Sequence, residues 1–121
     1  MSDKETKKEL QSFLRRLRVK IDVFGIIYLD RRPKNIETLA ALELTPKQRD
    51  EIIQNLTVED YYKGPRKEDF HSDDAQMWEF GKQVNDEEVY IKITLGRTSS
   101  SAICISFHIA ERPIQYPFKE E

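Results

Sequence analysis

Residues 77–108 read MWEFGKQVNDEEVYIKITLGRTSSSAICISFH, and apolar side chains alternate with polar ones through three short runs of this stretch. Alternation at period two indicates β-strands that bury one face. The stretch therefore predicts a three-stranded antiparallel meander. Its core face would carry the Lys82 stem and a set of apolar side chains, namely Trp78, Phe80, Val89, Ile91, Ile93, Leu95, Ile103, Ile105, Phe107 and Ile109.

The opposite face of the predicted meander is polar. It would carry Glu79, Gly81, Tyr90, Lys92, Thr94, Cys104, Ser106 and His108. An antiparallel sheet often leaves one face to solvent, and that alone explains a polar face. The pattern thus permits either a solvated surface or a chemically active one.

The register of the meander follows from its turns. Asn85-Asp86 is a dipeptide that favours a two-residue hairpin turn, so that Val84 opposes Glu87 and Glu79 opposes Lys92. The loop of residues 96–101 is less decisive. Pairing Ile93 with Ile105 places Tyr90 beside His108, whereas a slip of two residues places Tyr90 beside Ser106. Under either register we expect Glu79, Tyr90, Lys92 and His108 to converge on one face.

Length and composition predict one domain spanning residues 1–121, with a helical half at about 1–56 and a β-meander half at about 57–118. No apolar run approaches the length of a membrane span, and the first ten residues hold no hydrophobic signal region, so we expect a cytoplasmic protein that does not contact a membrane. One cysteine and two distant histidines predict no disulfide, no metal and no cofactor. Cys104 is expected to be a small buried hydrophobe.

The net charge of −2 conceals an asymmetry: residues 1–50 carry 12 Lys and Arg against 8 Asp and Glu, and residues 51–121 carry 8 against 14. Basic clusters at residues 15–20 and 31–34 can dock phosphates or can form the solvated face of a helix. The overall acidity argues against strong nonspecific binding of nucleic acid.

The helical half contains three predicted helices. A Ser2/Glu5 capping box begins a helix from about Asp3 to Lys20, with Leu10, Phe13, Leu14, Leu17 and Ile21 forming the buried stripe. Residues 23–28 form a short strand or an extended segment. Asn35 caps a second helix, ending at Leu42, with Ile36, Leu39 and Ala40 facing inward. The sequence Thr45-Pro46-Lys47-Gln48 caps a third helix that ends near Asn55, and residues 64–74 read as a loop.

A set of short motifs follows these helices in a fixed order: DYYKGP at 60–65, MWEFGKQ at 77–83, EEVYIKI at 87–93, AICISFH at 102–108, and a tail with Pro113, Tyr116, Pro117 and Phe118. In roughly residues 45–118 the chain resembles the MqsR family of bacterial toxins. The resemblance implies a RelE-like α+β fold and a metal-independent endoribonuclease that cuts messenger RNA. It also implies a cognate antitoxin with a helix-turn-helix domain, which neutralises the toxin and takes part in operon autoregulation.

The resemblance assigns site residues unevenly. The family's catalytic lysine and tyrosine fall on Lys63 and Tyr90, which match. Its glutamine after the tryptophan falls on Glu79, and the lysine that closes its Ser-Phe-Lys segment falls on His108, so these two positions depart. A carboxylate repels phosphate, yet Glu and His are a competent acid and base pair.

Metal-free cleavage of RNA requires a base, an acid and cations that stabilise the phosphoryl oxygens. Glu79 or His108 is the candidate base, and His108 or Tyr90 the candidate acid; histidine suits proton transfer near neutral pH. Lys63 and Lys92 are the candidate cations. Tyr61, Tyr62 and Arg66 are candidate RNA-binding residues, with His71 a further stacking candidate. The alternative function is a non-catalytic, toxin-like protein that binds a transcriptional regulator.

Overall fold

A computed structural model describes residues 3–67 and 76–119 of the chain. Its helices are α1 (Asp3–Phe24), α2 (Pro33–Ala41) and α3 (Pro46–Gln54), with a 3-10 turn at Val58–Asp60. Its strands are β1 (Ile26–Tyr28), β2 (Tyr61–Lys67), β3 (Gln76–Val84), β4 (Glu87–Thr94) and β5 (Ala102–Ile109).

The five strands form one sheet in the order β1-β5-β4-β3-β2, and the helices pack against it. The predicted α+β class is therefore confirmed. The predicted meander of β3, β4 and β5 is also confirmed, but the sheet is larger and mixed, because β1 pairs parallel with β5 through Ile26 and Ala102. A three-residue strand whose partner is distant in sequence carries little local signal, so the sequence left residues 23–28 undecided.

Helix α1 supplies the helical side of the core. Its predicted stripe is buried as a whole, and the helix runs four residues beyond the predicted end. Phe13 stacks on Trp78 with ring centroids 5.4 Å apart and on Phe80 at 6.3 Å. Stacked aromatic pairs add to the free energy gained by burying their area. This contact fixes α1 across β3. The predicted capping residue, Ser2, lies outside the described residues.

A β-bulge in β5 separates two registers. Asn85 and Asp86 both have positive φ, as the predicted two-residue turn requires, and β3 pairs with β4 in the predicted register. Tyr90 pairs with His108 and Lys92 with Ser106, but Ile93 pairs with Cys104 and not with Ile105.

The bulge corrects the predicted faces of β5. Ile105 is the extra residue between the two registers, so Cys104 faces the core and is fully buried. Ile103 and Ile105 lie outside the core cluster, although Ile105 is itself buried. The prediction that Cys104 is a buried hydrophobe holds, and the prediction that it lies on the polar face is wrong.

Helix α2 completes the edge of the sheet where β1 ends. Asn35 is buried, and its side-chain amide donates to Ile105 O at 3.1 Å and accepts from Phe107 N at 3.0 Å. Thr38 Oγ1 accepts from Ile109 N at 3.1 Å. A neighbouring parallel strand would offer the same donor and acceptor, so the Asn35 amide continues the ladder that β1 begins.

These contacts correct the predicted orientation of α2. Asn35 lies inside the helix and is not its cap, which is Arg32. Ile36, predicted to face inward, is 53% exposed, and Ala40 is exposed as well. Hydrogen bonds to the β5 backbone decide which side of α2 is buried, because unpaired backbone groups there would be costly.

Helix α3 begins with the predicted capping box, in which Gln48 N donates to Thr45 Oγ1 and Thr45 N donates to Gln48 Oε1. Within α3, Arg49 is buried and forms a two-pronged ion pair with Asp30 at 2.9 and 3.0 Å. Such bidentate pairing sets direction as well as energy. The ion pair therefore ties α3 to the segment that follows β1.

Strand β2 occupies the start of the stretch that was predicted to be a loop. It pairs antiparallel with β3, and two register shifts interrupt the pairing. Gly64 has φ +120, and a Cβ atom there would lie 2.8 Å from Met77 O. Gly64 thus allows β2 to approach β3, and the first residues of the predicted loop lie within a strand.

Candidate functional site

The pairing register brings polar side chains together on the sheet face opposite α1. One row across the sheet consists of Glu79, Lys92 and Ser106, on β3, β4 and β5. The next row consists of Gly81, Tyr90 and His108. Since paired residues point to the same side of a sheet, the predicted convergence of the four polar residues is observed. We call Glu79, Tyr90, Lys92, His108 and the neighbouring Arg66 the polar site.

Tyr90 and Glu79 form the central contact of the polar site. The Tyr90 hydroxyl donates to Glu79 Oε1 at 2.6 Å. Burial, followed by this hydrogen bond and the negative charge of Glu79, raises the pKa of Tyr90 far above its ordinary value. The phenol is therefore a weak acid whose proton is already engaged by the carboxylate. This geometry favours Tyr90 as the group that positions Glu79 and disfavours it as the proton donor to a leaving group.

The second carboxylate oxygen of Glu79 is held differently. It receives no hydrogen bond from a described residue, and the Glu79 side chain is only 9% exposed. Arg66 Nε lies 3.4 Å from this Oε2 atom, within ion-pair range but without the geometry of a hydrogen bond. The Arg66 side chain is 58% exposed, so the cation of this ion pair lies largely in solvent whereas the carboxylate is buried. Among the described residues, therefore, none donates a hydrogen bond to this second oxygen of Glu79.

His108 and Lys92 complete the polar site. The His108 ring lies beside the Tyr90 ring, with centroids 5.3 Å apart and planes inclined by 37°. Its Nδ1 is 3.0 Å from the carbonyl oxygen of Ile109, so a protonated Nδ1 would donate there and leave Nε2 available. Lys92 is half-buried between Glu79 and Ser106 in the first row. A cation thus lies between the carboxylate and the strand that carries the imidazole.

Residues of β2 form a groove beside the polar site. Tyr62 meets the Tyr90 ring edge-on at 6.5 Å, and Lys63 Nζ lies 4.8 Å from the centre of the Tyr62 ring. Tyr61 is buried, stacks on Phe118 at 4.8 Å, and donates to Gly64 O. The groove, of about 400 Å³, is lined by Asp3, Thr6, Pro117, Phe118 and the residues numbered 61–66. Lys63 lies on β2, just before the stretch predicted to be a loop, and Tyr61 has a packing role.

The tail after β5 closes one end of the polar face. Glu88 accepts from Ile114 N and from the Tyr116 hydroxyl, both at 2.8 Å. A Cβ atom on Gly81 would lie 2.5 Å from the Tyr116 hydroxyl oxygen, so only glycine admits the tail there. The contact of the tail with Gly81 was not predicted, although a glycine inside a strand signals the close approach of another segment. The open side of the polar site therefore faces β2 and the groove.

All five residues predicted to be catalytic lie on β2–β5, and four of them meet on one face. Lys63 is exposed and lies across from Glu79 on the neighbouring strand. Arg66, predicted to bind RNA, is the residue that contacts Glu79. The predicted stacking residue His71 lies outside the described residues.

In residues 3–67 and 76–119, no three His, Cys, Asp or Glu side chains gather in an arrangement that could hold a metal ion. Among the helices that the structure describes, none has the length and apolarity needed to cross a membrane.

Comparison of the chain with protein-family models, curated proteins and solved structures yields no match. The functional inference therefore depends on the geometry of the polar site.

Proposed function

We propose that the protein is a metal-independent endoribonuclease that cleaves messenger RNA in the cytoplasm, as the toxin of a toxin-antitoxin pair of the MqsR type. The observation that carries this proposal is the Glu79 carboxylate: Tyr90 holds one oxygen at 2.6 Å, and the other oxygen accepts no hydrogen bond from a described residue. A held carboxylate with an unused acceptor suits a general base. One candidate cation, Lys92, and the imidazole of His108 lie on the same face as Glu79.

The proposed reaction begins when the 2′-OH of the substrate gives its proton to Glu79 Oε2. The 2′-oxygen then attacks the adjacent phosphorus, the bond from phosphorus to the 5′-oxygen breaks, and protonated His108 gives a proton to that oxygen. The products are a 2′,3′-cyclic phosphate and a free 5′-hydroxyl. Lys92, with Lys63 at the edge of the groove, stabilises the charge that grows on the phosphoryl oxygens.

The spacing of the strands is compatible with this division of roles. Glu79 and His108 lie two strands apart and one row apart, which corresponds to about 12 Å between their Cα atoms. Two side chains reaching inward from that separation can flank a single phosphate. Arg66 must leave Glu79 before Oε2 can act, and the phosphate is the anion that would attract its guanidinium.

A single-turnover assay on one RNA oligonucleotide tests the proposal. Cleavage should continue in a chelator and should leave a 2′,3′-cyclic phosphate. His108→Ala and Glu79→Gln should each lower the rate by about 10²-fold or more, the usual effect of losing a general acid or base. Lys92→Ala should cost less if Lys63 supplies part of the charge stabilisation.

Lys47→Ala is the matched control for loss of one positive charge, because Lys47 is exposed on α3 and away from the polar site. Its rate should equal that of the parent. If folded His108→Ala and Glu79→Gln both cleave as fast as the parent, the polar site is not the catalytic site.

A second candidate function is a non-catalytic protein that binds a transcriptional regulator. One observation favours it: Arg66 and Tyr90 neutralise and cover Glu79, as they would in a purely structural network. Expression in bacteria separates the two candidates. The nuclease should arrest growth and degrade messenger RNA unless the adjacent regulator is coexpressed, whereas harmless expression of folded protein with intact messenger RNA would favour the binding protein.

A further inference from the structure

Exposed apolar side chains concentrate at the end of α1. Five large hydrophobic residues of the described chain are well exposed, and four of them lie between residues 19 and 27: Val19, Val23, Phe24 and Ile27. Val19 and Val23 are each two residues from Ile21, which is buried. Two residues turn a helix by about 200°, so these valines lie opposite the core stripe. Val23 is 65% exposed.

These side chains line a groove with a basic rim. The groove holds about 450 Å³, which is within the range of ligand-binding clefts. The lining combines three of the apolar residues, Val19, Val23 and Phe24, with cations of α1 and with residues of the loop that joins β4 to β5. The cations are Arg15, Arg16 and Lys20, and the lining includes no Asp or Glu. Lys20 Nζ donates to Arg97 O at 2.6 Å, which fixes the loop against the helix.

The three cations of the groove, Arg15, Arg16 and Lys20, have no carboxylate partner among the described residues. None of the ion pairs in the described part of the chain includes them. A second copy of this chain is a poor occupant. In a symmetric dimer the same patch meets itself, so that the cations of one copy would face those of the other. A nucleic acid would satisfy the cations but would leave the two valines against phosphate and sugar.

We infer that this groove binds an acidic segment of a second protein. The apolar side chains of that segment lie between Val19, Val23 and Phe24. Its carboxylates pair with the α1 cations Arg15, Arg16 and Lys20. Apolar contacts in the centre with charges at the rim are the usual arrangement of such interfaces. The groove shares no lining residue with the polar site. Binding there is independent of the proposed ribonuclease activity and does not block the polar site.

Selection from a displayed library of random 16-residue peptides, with the full chain as target, tests the inference. The selected peptides should combine apolar and acidic residues. A fluorescent copy of the consensus peptide should bind with an affinity that falls about tenfold or more in Val23→Asp and in Arg16→Glu. Because both residues are exposed on a helix, the two variants should fold as the parent does.

Ile36→Asp is the matched control, since Ile36 is an exposed apolar residue on α2, away from the groove. It should bind the peptide as tightly as the parent. The inference is overturned if no acidic, apolar peptide is selected, or if the selected peptides bind Val23→Asp and Arg16→Glu unchanged. It is also overturned if sedimentation shows a dimer of the chain that Val23→Asp abolishes, or if a single-stranded RNA competes for the groove. RNA cleavage by Val23→Asp should equal that of the parent, so this test and the test of the polar site can fail separately.

Discussion

Removing the Tyr90 hydroxyl should expose how strongly the polar site depends on one hydrogen bond. In Tyr90→Phe the Glu79 carboxylate loses the 2.6 Å hydrogen bond from the phenol and remains buried. Among the described residues, this is the one hydrogen bond that the Glu79 side chain receives. A hydrogen bond to a charged group contributes about 1.5–3 kcal/mol, and a buried charge without a donor raises the cost further. We therefore expect Tyr90→Phe to lower the free energy of unfolding by about 2–3 kcal/mol.

A double-mutant cycle with Glu79→Gln gives the contribution of the pair. Once residue 79 is a neutral amide, Tyr90→Phe should cost only about 1 kcal/mol, so the coupling energy should be about 1–2 kcal/mol. Urea denaturation at neutral pH measures all four proteins, and a total stability of about 5–15 kcal/mol leaves each variant folded. A coupling energy below about 0.5 kcal/mol would refute the reasoning, because the hydrogen bond would then be an ordinary surface contact.

Three further predictions concern the interior of the protein. Asn35→Ala removes the side chain that hydrogen-bonds the backbone of residues 105 and 107 at the edge of the sheet. The free energy of unfolding should therefore fall by about 3–5 kcal/mol in urea denaturation. A loss below about 1 kcal/mol would show that Asn35 does not complete this edge. Burial raises the pKa of the Cys104 thiol far above its ordinary value. Ellman's reagent at pH 8 should therefore react with this thiol only after denaturant is added. Fast reaction in the native state would show that the thiol lies at the surface. Burial, together with a hydrogen bond to a carboxylate, raises the pKa of three phenols, those of Tyr28, Tyr90 and Tyr116. The stability that these phenols contribute is therefore complete below about pH 10 and declines as the pH rises further. Absorbance at 295 nm should show them unionised at about pH 11 in the folded chain and ionised in urea.

Local signals were sufficient for much of the fold. The β3–β4 register follows from the Asn85-Asp86 turn, because a two-residue loop leaves one way to pair the strands. The α3 cap follows from Thr45 and Gln48, which lie three residues apart and bond each other directly. In both cases the residues that decide the structure are neighbours in sequence.

The errors have a common physical origin in contacts between distant segments. The alternation of Ile103, Ile105 and Phe107 conceals the bulge, because each residue is apolar whichever way it points. The burial of Asn35 depends on an incomplete sheet edge about 70 residues away, which no helical periodicity records. For the polar site, the predicted register already placed the residues of β3, β4 and β5 on one face. The contact of Arg66 with Glu79 was not predicted, because Arg66 lies in the part of β2 that was predicted to be a loop.

The position of β5 has a consequence for the synthesis of the protein. β5 follows the other four described strands along the chain, yet it lies between β1 and β4 in the sheet. A nascent chain that stops before residue 102 leaves β1 without its partner, exposes the edge of β4 and lacks His108. Pairing between segments so far apart in sequence is also slow to form. If the polar site is a ribonuclease, a chain that is cut short before residue 102 has neither the proposed acid nor the strand that carries it, so such a product should be inactive.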